Sequence, residues 1–219
     1  MYAPWIRKIW LVTDGECPKW LSTDDPHISL VNHTEIFAEE DLPVYNNNAI
    51  ENNVYKIQGL SNQYLYFGEN MVLKERVCPD EFINDDGYIF HANGLQSNQN
   101  EKCPVDCTGD LFGNNECDEK CNQLGCLWDG LDCEQSDQIY SIEHAQNFVG
   151  NLFEMKLIKD VDRYQVPNVP FLVDKEIMQD LHNYFNSFYH ISKKRSNTDL
   201  PLPITYVNWV LQAPLGASD

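Results

Sequence analysis

The cysteines constrain this chain more than any other feature, because six of the eight lie between residues 103 and 133. The side chains between them are mostly Asp, Asn, Glu and Gly, so this segment has too little apolar surface to form a hydrophobic core. Segments of this size need disulfide bonds or a bound ion to stay folded. The run therefore predicts a small cross-linked module, whose cysteines are Cys103, Cys107, Cys117, Cys121, Cys126 and Cys133.

The ligand chemistry of this segment favours calcium over zinc. Zinc sites use closely spaced pairs of Cys or His, whereas the cysteine gaps here are three, nine, three, four and six residues and contain no His. Hard oxygen ligands suit calcium, and Asp129 and Asp132 flank a glycine turn while Asn114 lies beside a second one. We expect a disulfide-bonded calcium module, with a zinc site and a metal-free disulfide knot as the alternatives.

The ending Cys-Leu-Trp-Asp-Gly-Leu-Asp-Cys at residues 126–133 resembles that of a Lin-12/Notch repeat (LNR). Six cysteines allow 15 pairings, and the resemblance implies one of them, namely Cys103 with Cys126, Cys107 with Cys121 and Cys117 with Cys133. It also implies that backbone carbonyls complete a Ca²⁺ shell with three side chains and that a protein partner binds through the module. The implied side-chain ligands are Asn114, Asp129 and Asp132.

The composition limits the class of protein. The 219 residues carry a formal net charge of −19, from 34 acidic and 15 basic residues, which argues against a nucleic-acid or anionic-membrane partner. A hydrophobic content of 42% suffices for an ordinary core beside the module. No run of 18 apolar residues is present, so we expect no membrane span.

The sequence signals for the compartment conflict. The cysteine run and the glycosylation sequon at Asn32 suit an oxidising lumen. The first residues, however, lack the apolar core of a signal peptide. We therefore expect a fragment, or a sequence that lacks its start, located in the secretory lumen at the Golgi if the native chain carries an upstream signal or anchor.

The first part of the chain reads as an α/β domain. Apolar runs at Ile9–Thr13 and 28–31 predict buried strands separated by loops, which suggests a parallel sheet. Asp14 follows the first strand, where ligands of such sheets gather, although it could equally be a turn former before Gly15. Cys17 and Cys78 remain either paired with each other or free.

A helix is predicted between residues 46 and 57, with Asn48 as its cap and Glu51 on its first turn. On pattern alone, that carboxylate would compensate the helix dipole. A third strand is predicted at residues 64–67, followed by Gly68, Glu69 and Asn70. Beyond the module, residues 142–153 and 173–185 predict two further helices.

These segments resemble the Stealth family of sugar-phosphate transferases, in some members of which LNR modules also follow the second conserved region. The resemblance implies a Rossmann-like, mostly parallel α/β sheet interrupted by the LNR. It implies a region 2-like part at 1–83, a linker at 84–100, the LNR at 101–135, a region 3-like part at 139–211 and a tail at 212–219. The motifs that carry it are Tyr2–Lys8, Val12–Gly15, Pro18–Leu21, Ala49–Glu51, Gly59–Ser61 and Val166–Asp174, the last followed by Arg195 and Asp199.

The family chemistry moves a sugar phosphate, such as N-acetylglucosamine-1-phosphate, from a UDP-sugar to a hydroxyl of a glycan or glycoprotein. It needs a metal ion, here Mg²⁺ or Mn²⁺, a base and a fixed cation on the phosphoryl oxygens. The resemblance assigns these roles to the catalytic positions Glu51, Asn70, Asn168 and Arg195. Asp14 and Glu69, which follow predicted strands, are the candidate substrate-binding residues.

Two of the four catalytic positions depart from the family pattern. Asn70 stands where the family has an aspartate, and Asn168 stands where it has the first histidine of a His-x-Pro-His motif. An amide cannot serve as a general base near neutral pH. His182 and His190 are alternative bases, although histidines there are more often surface residues. An active transferase and a non-catalytic, calcium-dependent protein-binding scaffold therefore both remain open.

Overall fold

A computed structural model describes residues 2–19, 21–22, 24–68, 71–84, 87–88, 93–95, 104, 106–107, 111, 116–123, 126, 133, 142–157, 163–165, 169–186 and 199–212. The chain divides into two compact units. Unit 1 comprises residues 1–91 and 166–194, and unit 2 comprises residues 92–165 and 195–219. Residues after the cysteine-rich segment therefore return to complete the unit formed by the first 91 residues.

Unit 1 begins with two parallel strands, β1 (Ile9–Thr13) and β2 (Ile28–Asn32). They pair in register from Ile9 opposite Ile28 to Thr13 opposite Asn32. The β-branched and aromatic side chains of both runs suit strands with one buried face. The two predicted strands are confirmed, with β2 extending one residue further than expected.

The helix α1 (Asn47–Asn53) follows, and a 3₁₀ turn at Val54–Lys56 continues from it. Its cap is Asn46, whose side chain accepts a hydrogen bond from the backbone N–H of Asn48. The expectation that Asn48 caps the helix is wrong, because Asn46 supplies the oxygen two residues earlier. Apolar residues of α1 pack against the two strands in one core, which includes Val31, Ile36, Phe37, Val44, Ala49, Ile57, Trp10 and Val12.

The third strand, β3 (Gln63–Tyr66), does not pair with β1 or β2. It pairs antiparallel with β8 (Phe171–Asp174), which lies more than a hundred residues later. Unit 1 also contains the short antiparallel pair β4 (Ile83–Asn84) and β5 (Gly87–Tyr88), while β6 (Asn93–Leu95) and β7 (Arg163–Gln165) pair antiparallel in unit 2. Among the described strands only β1 and β2 are parallel. The expected mixture of helices and strands is therefore confirmed, whereas the Rossmann-like, mostly parallel sheet is not.

Three longer helices follow the cysteine-rich segment. They are α2 (Ile142–Leu157), α3 (Lys175–Tyr184) and α4 (Leu202–Gln212). In unit 2, α2 and α4 contact each other, and the rings of Phe153 and Trp209 meet edge to face with centroids 6.1 Å apart. Helix α4 is buried on nearly all sides, as an apolar helix must be in a small domain. The sequence patterns indicated α2 and α3 but not α4.

Candidate active site

The carboxyl edge of the parallel pair holds Asp14. The Asp14 carboxylate accepts a hydrogen bond from the backbone N–H of Glu16 at 3.3 Å, and the Thr13 hydroxyl accepts one from Gly15 N–H. Gly15 has a φ of +109°, and a Cβ there would lie 2.8 Å from the Asn32 side-chain nitrogen. Asp14 is thus an exposed turn former at the edge where α/β sheets bind ligands.

The sequon residue Asn32 lies at the same edge. Its backbone N–H donates to the Glu35 carboxylate at 2.8 Å, and its side-chain oxygen accepts from the Thr34 N–H at 3.0 Å. These reciprocal bonds form a capping box at the start of the 3₁₀ turn His33–Glu35. The Asn32 side chain therefore helps to hold the loop that leaves β2.

Glu51 lies on α1, but not on its first turn as the pattern predicted. It is the fifth of seven helical residues, because the helix starts at Asn47, and its backbone carbonyl accepts the capping N–H of Val54. A carboxylate near the C-terminal end is disfavoured by the helix dipole. The expectation that Glu51 compensates the helix dipole is therefore wrong, and Glu51 is half-buried.

The end of β3 and the start of β8 share one edge, because Tyr66 pairs with Phe171 in the antiparallel ladder. In sequence, Glu69 and Asn70 follow that end of β3, and Asn168 precedes that start of β8. These three residues lie outside the described part of the chain, as does Arg195. Of the four catalytic positions predicted from the sequence, the structure thus locates Glu51.

Helix α3 packs against the segment that carries Glu51. The Nε2 of His182 donates to the carbonyl of Asn52 at 2.9 Å, and its ring lies against Tyr55 with centroids 5.0 Å apart. Burial, together with the positive charge of Lys56, lowers the pKa of His182 to about 4. His182 is therefore a half-buried neutral imidazole, and the expectation of a surface histidine is wrong.

The first residue of α3 makes a second set of contacts with the same segment. The Lys175 ammonium donates to the carbonyls of Leu60 at 3.1 Å and Ile57 at 3.4 Å, and the Lys175 N–H donates to Asn62 O at 2.8 Å. The sequence patterns did not predict that Lys175 bonds these backbone carbonyls. The available signal is that Lys175 and His182 lie seven residues apart, which places them on one helix face.

A polar depression of about 470 Å³ lies where β3 begins and β8 ends. Asp174, which caps α3 by accepting from the Glu176 N–H at 2.8 Å, belongs to its wall. In β3, burial raises the pKa of Tyr64, with smaller contributions from Tyr55 and Asp174. The depression is lined by Arg7, Ser61, Asn62, Gln63, Asp174 and Glu176.

Among the described residues, the cysteine-rich segment shows two of the three implied disulfides. Cys107 is bonded to Cys121, and Cys117 is bonded to Cys133, as the LNR resemblance implied. Cys126 is buried and disulfide-bonded as well, whereas Cys103 lies outside the described residues. The Cys103–Cys126 pairing therefore remains a prediction.

The predicted calcium ligands Asn114, Asp129 and Asp132 also lie outside the described residues. Within the described ranges, no three His, Cys, Asp or Glu side chains converge as a metal site would require. In sequence, the two aspartates fall inside the loop closed by the Cys117–Cys133 disulfide, which supplies a frame for oxygen donors. This donor set fits Ca²⁺ in its chemistry.

Cys17 and Cys78 are both free and exposed, which decides between the two alternatives left open by the sequence.

Among the helices that the structure describes, none combines the length and the apolar character that crossing a bilayer requires.

Comparison with known proteins identifies two segments. Residues 1–91 match the family model of Stealth protein CR2, conserved region 2, and residues 100–134 match that of the LNR domain. Both resemblances inferred from the motifs are thereby confirmed for these stretches. The resemblance of residues 139–211 to the third conserved region stays a prediction.

The similar proteins are phosphotransferases. The mouse N-acetylglucosamine-1-phosphotransferase subunits alpha/beta are 34% identical over 136 residues, which is 60% of this chain and 10% of that protein. The human counterpart is 33% identical over the same length. Receptor polysaccharide phosphotransferase WefC of Streptococcus gordonii is 43% identical over 94 residues, which is 43% of this chain and 28% of that protein. The chain thus spans about a tenth of the length of the two mammalian relatives.

Proposed function

We propose that this chain forms part of a sugar-phosphate transferase. The reaction moves N-acetylglucosamine-1-phosphate, or another hexose phosphate, from a UDP-sugar to a hydroxyl of a glycan or glycoprotein. The match of residues 1–91 to a Stealth conserved region and the phosphotransferase names of the relatives support this class of reaction. The identity of the sugar and of the acceptor is part of the proposal.

The observation that carries the proposal is the position of Glu51. Its carboxylate lies on the second turn of α1, half-buried, where the helix dipole opposes it. The binding of a hard cation is one role that a carboxylate at this position can fill. The core that includes Ala49 anchors this helix to β1 and β2.

In this proposal the other predicted residues keep the roles expected from the sequence. Arg195 is the fixed cation for the migrating phosphoryl group, while Asp14 and Glu69 are the residues that bind the donor. Glu51 would hold Mg²⁺ or Mn²⁺, which when bound neutralises the charge of the diphosphate. Asn70 and Asn168 offer neutral amide oxygens, which are weaker ligands and cannot act as a base.

The test is a transfer assay on the full-length natural protein, with a radiolabelled UDP-N-acetylglucosamine donor and a high-mannose glycoprotein acceptor. We expect Glu51→Gln and Arg195→Ala each to lower kcat/KM by about 10² or more, the usual loss for a catalytic group. Glu40→Gln is the matched control, because Glu40 is exposed. Transfer at the wild-type rate by Glu51→Gln would refute the assignment.

A second function is favoured by the two amides at Asn70 and Asn168 together with the intact disulfide frame. In this alternative the sheet is a non-catalytic scaffold, and the LNR binds a protein partner in a calcium-dependent manner. The absence of transfer by the full-length wild-type protein, with retained calcium-dependent binding of the glycoprotein acceptor, would select it.

The compartment is proposed on the same grounds. Disulfides persist in oxidising compartments, so the bonded cysteines support a secretory-pathway lumen, and the Golgi is the proposed site. Glycosylation of Asn32 is part of this proposal, and the mass of the natural protein before and after removal of N-glycans tests it.

A further inference from the structure

Helix α3 supplies side-chain donors to three backbone carbonyls of the segment that carries Glu51. His182 donates to Asn52 O, and Lys175 donates to Ile57 O and Leu60 O. The two donors are seven residues apart, about two helical turns, so both lie on the face of α3 that meets this segment. The buried Met178 lies between them in sequence.

The carbonyl bonded by His182 lies in the last turn of α1, which ends at Asn53. Asn52 is the residue that follows Glu51. The hydrogen bond of 2.9 Å thus fixes the peptide unit between Asn52 and Asn53, which begins one residue beyond the candidate catalytic residue.

The imidazole is itself held in place. Its ring packs on Tyr55 at a centroid distance of 5.0 Å, and Tyr55 is buried. Burial lowers the pKa of His182 most, and among the described residues Lys56 is the charged group whose field lowers it further. Burial also raises the pKa of Tyr55, so its hydroxyl stays protonated. Because Nε2 is the donor to Asn52, that nitrogen carries the proton in the neutral ring.

We propose that His182 is a positioning residue that holds the C-terminal turn of α1 and thereby directs the Glu51 carboxylate. The hydrogen bond to Asn52 limits rotation of the last helical turn, and small displacements of a catalytic group are costly. The claim that the orientation of Glu51 affects turnover rests on the proposed function. The stabilisation of the last turn of α1 by His182 is a property of the folded chain, and it is measured without a transfer assay.

The first experiment measures hydrogen exchange in the full-length natural protein over peptides that cover residues 47–56. His182→Phe keeps an aromatic ring on Tyr55 but removes the donor, and His182→Gln keeps a side-chain N–H at a similar reach. We expect exchange to rise about tenfold in His182→Phe, which a loss of about 1.4 kcal/mol in local stability would produce, and to return toward the wild-type rate in His182→Gln. Asp180→Asn, on the exposed face of α3, is the control and should exchange as the wild type does.

The second experiment measures transfer by the same variants. We expect kcat of His182→Phe to fall about tenfold with KM for the UDP-sugar changed less than about twofold, since the group orients rather than binds. If the wild type shows no transfer, the proposed function is refuted. Faster exchange in His182→Phe would in that case still show that His182 stabilises the last turn of α1. Unchanged exchange in folded His182→Phe would overturn the inference, and His182→Leu provides the same comparison if the Phe variant does not fold.

Discussion

The ammonium of Lys175 lies 3.1 Å from the backbone carbonyl of Leu60, a hydrogen bond between residues 115 positions apart. Together with Ile57 O at 3.4 Å, it joins the start of α3 to the turn that precedes β3. We expect Lys175→Met to lower the free energy of unfolding of unit 1 by about 1–3 kcal/mol, because two partly buried carbonyls lose a charged donor. Chemical denaturation measures this, with exposed Lys74→Met as the control. Equal loss in both variants would show that the contact contributes nothing specific.

His182 should make the stability of the protein depend on pH. Its folded pKa of about 4 lies below the ordinary value of 6.5, so as the pH falls through this window the unfolded chain binds a proton that the folded chain does not. The free energy of unfolding therefore decreases between pH 6.5 and about 4. The full shift corresponds to about 3 kcal/mol, and partial exposure of the ring reduces this to about 1–2 kcal/mol.

Denaturation curves of the wild type and His182→Gln between pH 7 and 4 test this dependence. Other groups titrate equally in both proteins, so the difference between the two curves isolates His182. We expect the variant to lose less stability than the wild type across the window. Parallel curves would show that the imidazole does not resist protonation in the folded state.

Cys17 and Cys78 are exposed free thiols. We expect both to react with a maleimide in the folded protein without reductant, because exposed thiols are accessible to the reagent. Intact mass should show two added labels per chain. The Cys17→Ser and Cys78→Ser variants should each take up one label, and no labelling of the wild type would indicate that the two thiols pair with each other.

The third disulfide of the cysteine-rich segment should join Cys103 to Cys126. Cys126 is disulfide-bonded, and four other cysteines of the segment form the pairs Cys107–Cys121 and Cys117–Cys133. Non-reducing digestion followed by mass spectrometry should yield a cross-linked peptide that contains both residues. Recovery of Cys103 as an alkylated free thiol would contradict the LNR pairing.

Calcium should stabilise the LNR module. If Asn114, Asp129 and Asp132 bind Ca²⁺, removal of the ion with a chelator lowers the Tm of the module, because a ligand that binds only the folded state stabilises it. Asp132→Ala should have a lowered Tm that no longer responds to chelator, whereas Glu119→Gln, an exposed residue of the same module, should respond as the wild type does. An unaltered wild-type Tm in chelator would leave a metal-free disulfide knot.

The sequence by itself determined the local elements and the cross-linked module. Strands β1 and β2 were predictable because their apolar β-rich runs end at turn formers, and α1 was predictable from its apolar spacing. The need for cross-links followed from a segment so poor in apolar residues, and the LNR resemblance implied the two cysteine pairs that the structure shows. The cap of α1 was misplaced by two residues, because several asparagines in a row offer the same side-chain oxygen.

Only the tertiary structure decided which distant segments meet. The pairing of β3 with β8 and the contact of His182 with Asn52 join residues more than a hundred positions apart. Periodicity describes what each segment buries, but not which partner covers it. The prediction of a surface histidine was wrong because His182 is half-buried against the segment that follows α1. The prediction that Glu51 compensates the helix dipole was wrong because the folded environment sets the residue at which a helix starts.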